Sequence, residues 1–272
     1  MCPTPRPLRS SIPLCLAIAG AAATVSAQAS RPGEVVLATT TSVRDAGLLD
    51  VLLPPFEQRT GLRVKVVAVG SGQAMELGKR GEADLLIVHD PAGEAAFMAA
   101  GFGVERLALM RNRFVLVGPP ADPAGIRGLT VAEAMRAVAR AGSLFVSRAD
   151  RSGTDVKEAL LWALAGVVPA QPWYRESGQG MSATLQIASE LGAYTLTDVG
   201  TLRNHKSPLT LAILVDGDTL LANPYHILRP DPARFPWMNV RGSRLLATYL
   251  LDPATQDAID AFGEGVFEGI RK

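Results

Sequence analysis

Cysteine is nearly absent from this chain. Of 272 residues only Cys2 and Cys15 are cysteines, both close to the N-terminus. Removal of an N-terminal segment beyond them leaves no thiol, which excludes disulfides and thiolate metal sites. Such a protein has to be stabilised by its core alone. Aromatic residues make up 6%, too few for a sugar-binding or interaction surface built on rings. Charge of one sign is also missing: 27 Lys and Arg against 26 Asp and Glu give a formal net charge of +1. No basic stripe or run occurs, which excludes a nucleic-acid footprint. His89, His205 and His226 are far apart and show no ligand spacing. Neither a cofactor nor a free metal cation is therefore expected. Missing too are the Gly-x-Ser-x-Gly elbow, the His-Glu-x-x-His site and the P-loop that would point to an enzyme.

What is present begins with an export signal. Arg6 and Arg9 precede an apolar run over residues 12–25, followed by Val25-Ser26-Ala27 and Ala27-Gln28-Ala29, which both fit small-x-small cleavage. The run is shorter than the ~20 residues that span a bilayer. Residues 1–29 are thus expected to be a signal peptide and the mature chain to be periplasmic, with an uncleaved anchor as the alternative. Cys15 does not make a lipobox, because Pro13-Leu14 lacks the small residues that one needs. No later segment is apolar enough for stable membrane insertion. The residues that remain suffice for one large domain or two lobes.

Apolar runs then alternate with helical patterns. Residues 35–38 read as a buried strand that breaks at Thr39-Thr40-Thr41-Ser42. Leu48, Leu49, Leu52, Leu53 and Phe56 form a helical stripe ending at Thr60-Gly61. A strand at 63–69, the turn Gly70-Ser71-Gly72, a helix at 73–79, a strand at 84–88 and a helix at 93–100 follow. This order argues for mostly parallel sheet covered by helices. Further on, strands are expected at 114–118, 144–147, 193–196 and 211–215. Helices are expected at 131–140, from Ser152-Gly153 to 165, and at 181–191, 242–251 and 253–262. Two smaller α/β sheets fit the pattern, one lobe from 33–113 plus 206–272 and the other from 114–205. A single doubly wound domain is the alternative.

Three strand-to-helix turns carry the chemistry. Ligands of open α/β sheets bind beyond the carboxyl ends of strands, where helix N-termini present unpaired N–H groups and a positive dipole end. Thr39-Thr40-Thr41-Ser42 places four hydroxyls after a buried strand, with plain N-capping as the alternative. Gly70-Ser71-Gly72 allows close backbone approach and adds the Ser71 hydroxyl, although the same tripeptide is also a common tight turn. In Ser147-Arg148-Ala149-Asp150-Arg151-Ser152-Gly153-Thr154, Arg148 can form a bidentate pair with an oxyanion. Ser152, Gly153 and Thr154 offer donors at the helix start. The competing role for Arg148 is a structural ion pair with Asp150 or Asp155. The first two turns lie on one expected lobe and the third on the other, so a cleft would let all three converge on a small anion.

These residues resemble the tungstate-binding proteins of TupA type, the solute receptors of tungstate ABC transporters. The likeness runs through Thr39-Thr40-Thr41-Ser42, Gly47-Leu48-Leu49-Asp50, Val67-Ala68-Val69-Gly70-Ser71-Gly72-Gln73-Ala74 and Ala83-Asp84-Leu85-Leu86-Ile87-Val88-His89. It continues in Asn112-Arg113-Phe114-Val115-Leu116-Val117-Gly118-Pro119, Phe145-Val146-Ser147-Arg148, Ser152-Gly153-Thr154, Gly178-Gln179-Gly180-Met181, Tyr194-Thr195-Leu196-Thr197-Asp198 and Asn223-Pro224-Tyr225. The resemblance implies a two-lobed type II periplasmic-binding fold, a tetrahedral oxyanion between the lobes, and a membrane permease as partner to a monomeric receptor. It implies that Thr41, Ser42, Ser71, Arg148, Ser152, Gly153 and Thr154 contact the anion. Tungstate and molybdate are dianions of nearly one size, and these residue types suit both. The sequence departs from the family at Ala149, where glycine is usual, and at Asp155, where His or Asn is common. An added carboxylate there would weaken dianion binding unless it points away or pairs with Arg151 or Lys157.

Two other readings compete. One is a phosphate- or sulfate-binding receptor of the same fold type; phosphate needs an acceptor for its proton, a role for which Asp90 is the candidate, its other role being an N-cap before Pro91. A secreted hydrolase using Ser152 would need a base within reach.

Overall fold

The computed structural model describes Met1 and residues 33–270. The expected signal segment and both cysteines lie outside the described residues. In chain order the elements are β1 (Glu34–Thr40), α1 (Thr41–Asp45), α2 (Leu48–Thr60), β2 (Arg63–Val69), α3 (Ser71–Lys79), β3 (Leu85–Val88), α4 (Pro91–Ala99) and β4 (Gly103–Gly118). They continue as α5 (Val131–Ala141), β5 (Phe145–Ser147), α6 (Gly153–Leu164), β6 (Tyr174–Glu176), α7 (Met181–Leu191), β7 (Thr195–Asp198), α8 (Val199–Arg203) and β8 (Ala212–Val215). The last are β9 (Ala222–Pro230), α9 (Val240–Leu250), α10 (Pro253–Ala261) and β10 (Glu268–Gly269).

Strand periodicity explains how the first sheet is sandwiched. Successive side chains of a strand point to opposite faces. In β1, Val35 and Leu37 enter one core with Leu48, Leu49, Leu52, Leu53 and Phe56 of α2 and Leu246 and Leu250 of α9. Val36 and Ala38 enter the other, with Ala74 and Met75 of α3 and Phe97 of α4. Both faces are covered, so β1 and β3 read as unbroken apolar runs rather than alternating ones. Each of these buried aliphatic side chains contributes about 1.5–3 kcal/mol. α2 stops where Gly61 takes φ +70°, a left-handed conformation that glycine adopts without a Cβ clash.

The sheet runs β2-β1-β3-β9-β4-β10. β1 is parallel to β2 and β3, while β9 is antiparallel to β3 and to β4. β4 then leaves this sheet: its last residues pair antiparallel with β7 and β8. β5 pairs parallel with β6, and Phe145 bridges to Tyr194 beside β7. The second core gathers Phe114 and Leu116 with Val131, Met135 and Val138 of α5, Leu161 and Trp162 of α6, and Leu214 and Val215 of β8. The molecule is a two-lobed α/β protein, and both lobes are mixed rather than mostly parallel, because β4 and β9 run against their neighbours.

Two expectations change. The strand expected at 211–215 was assigned to the first lobe with everything from residue 206. Instead β8 pairs with Leu116, Val117 and Gly118, and its Leu214 and Val215 fill the second core. The return to the first sheet comes at β9, whose Ala222 opposes Arg113. The strand expected at 114–118 is the end of β4, which starts eleven residues earlier at Gly103.

Candidate functional site

Strand ends aim helix starts at one place. β1 ends at Thr40, whose hydroxyl caps α1 by accepting from the Val43 N–H at 3.4 Å. β2 leads through Gly70 into α3, and the loop after β6 leads through Gly180 into α7. Neither glycine cap carries a side chain to satisfy the first-turn N–H groups. Ser152 caps α6 through the Asp155 N–H at 3.2 Å, so the Gly153 and Thr154 N–H groups retain no intrahelical partner. By contrast, α4, α5, α9 and α10 are closed by Asp90, Thr130, Asn239 and Asp252. The starts of α3 and α7 therefore lack a side-chain cap, as the start of α2 does at Gly47, whereas Ser152 closes α6.

Arg148 sits among them and is 2% exposed. Its Nη1 donates to Thr154 Oγ1 at 3.4 Å and its Nη2 to Thr41 Oγ1 at 3.3 Å. Nη2 also pairs with Asp150 Oδ2 at 2.5 Å, while Nε is buried without a partner. Thr41 belongs to the first lobe and Arg148 and Thr154 to the second, so this guanidinium joins the two. The loops touch through backbone as well. A Cβ added at Gly70 would lie 3.3 Å from Ser152 Cα, and one at Gly72 3.5 Å from Arg151 O. A Cβ at Gly180 would lie 3.8 Å from Thr41 Oγ1.

All seven residues expected at the site therefore fall in segments that meet. Thr41, Arg148 and Thr154 bond directly. Ser71 lies between the two glycines that approach residues 151–152, and its hydroxyl accepts from the His89 N–H at 3.5 Å. Gly153 packs on the His89 ring, where a Cβ would come within 2.7 Å of Cε1. Ser42 is fully buried, and its hydroxyl is shared with Thr40 at 3.0 Å. The ion pair anticipated as the alternative role for Arg148 is present, with Asp150 as the partner. Asp155 accepts from the Arg151 N–H at 2.9 Å, and Lys157 reaches Leu220 O instead. Ala149 adopts φ +48°, which explains why glycine would suit that position. Asp90 caps α4, accepting from the Gly93 N–H at 3.1 Å.

A second layer joins residues to which the sequence assigned no role at the site. His89 Nδ1 faces Asn223 Oδ1 at 2.8 Å, Asn223 Nδ2 donates to Asn112 Oδ1 at 2.6 Å, and Asn112 Nδ2 donates to Asp198 Oδ1 at 3.4 Å. Asn112 and Asn223 are register partners where β4 and β9 pass between the lobes. Burial pushes the Asp198 carboxyl up, against hydrogen bonds from Thr201 and the charge of Arg148 that favour its ionised form. Burial above all depresses the His89 ring to about 4, so it is neutral near pH 7. Among the described residues no group of three His, Cys, Asp or Glu side chains is placed to hold a metal. No helix among them is long and apolar enough to cross a membrane.

Two α/β lobes meeting over buried donors at strand ends define the periplasmic-binding-protein class, and the PBP superfamily domain matches residues 21–254. The chain belongs to this superfamily and, within it, to the family of TupA proteins. It is 40% identical over 259 residues to the tungstate-binding protein TupA of Peptoclostridium acidaminophilum, covering 92% of this chain and 91% of that one. The tungstate ABC transporter structure from Geobacter sulfurreducens is 45% identical with a TM-score of 0.77, covering 84% and 97% of the two chains. The TupA structure from Desulfovibrio alaskensis is 40% identical with a TM-score of 0.74, covering 88% and 99%.

Proposed function

We propose that this protein captures a tetrahedral oxyanion, tungstate foremost and molybdate next, between its lobes and delivers it to the permease of an ABC transporter. On this reading it acts in the periplasm as a monomer after loss of residues 1–29, with the return between lobes at β9. Thr41, Ser42, Ser71, Arg148, Ser152, Gly153 and Thr154 are the anion's partners, Ser42 through its backbone N–H because its hydroxyl already serves Thr40. The observation that carries the proposal is Arg148, buried between lobes among hydroxyls and helix starts from both. Each helix terminus contributes ~0.3–1 kcal/mol when exposed and up to ~2 when partly buried, and each charge-assisted hydrogen bond ~1.5–3 kcal/mol. Several acting together can offset dehydration of a dianion where one cannot. The relatives named for tungstate support the choice of ligand. Asp90 is committed to its helix cap and so does not fill the role of acceptor for a phosphate proton considered for it from the sequence.

Competitive titration calorimetry of the mature chain with tungstate, molybdate, sulfate and phosphate tests this. Tungstate or molybdate should bind at least ~100-fold more tightly than the other two, a gap of about 3 kcal/mol. Phosphate or sulfate binding as tightly as tungstate, or no binding by any of the four, would overturn it.

A further inference from the structure

His89 directly follows β3 and is 3% exposed. The direction of its hydrogen bond is set from the far end of the chain of amides. Asn223 Nδ2 donates to Asn112 Oδ1 and, at 3.0 Å, to the Tyr225 hydroxyl. Asn223 Oδ1 must therefore accept, and His89 Nδ1 carries the hydrogen. In the neutral ring Nε2 is then a bare lone pair, and it is buried without a partner. The ring lies on Gly153, where a Cβ would stand 2.8 Å from both ring nitrogens. An unpaired acceptor thus sits at the first turn of α6, beside donors arranged for an anion.

The charges around it leave a gap. Arg148 is offset by Asp150 at 2.5 Å, so the site opposes a dianion with little net positive charge of its own. The groups facing His89 are Arg148 after β5, Lys157 on α6, Glu94 on α4, Tyr225 and Asn223 on β9, and Asp198 after β7 through Asn112. Burial, then Arg148 and Lys157, hold the ring neutral, while the Asn223 bond and Glu94 act the other way. An incoming dianion adds a far stronger attraction for a proton on the ring, and its oxygen would otherwise meet a lone pair.

We propose that His89 is a further oxyanion-binding residue, taking a proton onto Nε2 as the anion enters and donating it to one of the anion's oxygens. The proton comes from the buffer, the imidazole becomes an imidazolium, and no other bond is made or broken. This rests on the oxyanion reading above.

The test is calorimetric titration of the mature chain with sodium tungstate in paired buffers of different ionisation enthalpy. At about pH 6, uptake should approach one proton per anion, and affinity should tighten up to about tenfold per pH unit of acidification. His89→Gln, whose carboxamide donates without gaining a proton, should lose the uptake and the pH slope. Nitrogen NMR of the wild-type ring should show Nε2 protonated only in the complex, a readout that needs no variant. Tungstate binding without proton uptake, uptake that persists in His89→Gln, or an Nε2 signal unchanged by tungstate would each overturn the assignment to His89 while leaving the oxyanion reading intact. Absence of heat with tungstate, molybdate, sulfate and phosphate alike would end both.

Discussion

Acidifying the anion-free protein sets two buried groups against each other. Burial above all depresses the His89 ring from 6.5 to about 4, and likewise pushes the Glu158 carboxyl up from 4.5 to about 7 against hydrogen bonds from Tyr174 and Trp162. The unfolded chain protonates His89 before the folded one does. That contribution to stability is present above pH 6.5 and is lost as pH falls towards 4. Glu158 has the opposite sign: the folded carboxyl keeps its proton longer, so its contribution is present below pH 4.5 and is lost as pH rises through 7. Each shift corresponds to about 3 kcal/mol in full. Between about pH 5 and pH 7 each changes stability by about 2 kcal/mol, in opposite directions, and the two nearly cancel. Urea unfolding followed by fluorescence at a series of pH values reads this directly. Relative to the wild type, His89→Gln should gain about 2 kcal/mol of stability on going from pH 7 to pH 5, and Glu158→Gln should lose about as much. Parallel profiles for the wild type and both variants would refute the reasoning, as would slopes of reversed sign.

Four more outcomes follow from the site. Arg148→Ala should lose about 2–5 kcal/mol of anion affinity in calorimetry, and Arg148→Lys should recover only part, because an ammonium lacks the planar fork. Gly153→Ala should weaken anion binding by about 1–3 kcal/mol, since its Cβ would overlap the His89 ring; unchanged affinity would place the ring elsewhere. Ala149→Gly should raise the urea midpoint, worth up to about 1 kcal/mol, by relieving a left-handed backbone conformation. Small-angle scattering should give a smaller radius with tungstate than without, and equal radii would count against closure of the lobes.

Much of the framework was legible because burial on two faces leaves a plain signal. The bounds expected for the helix at 181–191 match α7, and those for the strand at 63–69 match β2. The first part of β4 was not read as a strand because charged residues, among them the exposed Arg106 and Arg111, interrupt its apolar pattern. β9 was missed because Asn223, Tyr225 and Arg229 are buried polar residues inside it, where an apolar run would be the usual cue. At the site, three turns stood out since runs of small hydroxyl residues and glycine at strand ends have little packing use. The start of α7, like His89, Asn112, Asp198 and Asn223, stood out only as part of the family likeness. His89, Asn112, Asp198 and Asn223 are single polar residues from four separate segments. Nothing local marks them, and only the crossing of β4 with β9 brings them together.

The long strand β4 has a mechanical consequence. It runs through both sheets as one 16-residue element, so the halves of the molecule are joined by a stiff spar rather than a slack tether. Its register slips between Ala108 and Met110 and again between Leu116 and Val117, on either side of the place where the sheets part. Such irregularities bend and twist a strand locally. Rocking of the halves would thereby fall on a short stretch, and the Asn112–Asn223 amide pair lies within it. Any change of angle between the halves must be borne by the same few bonds that orient the imidazole proposed to meet the anion.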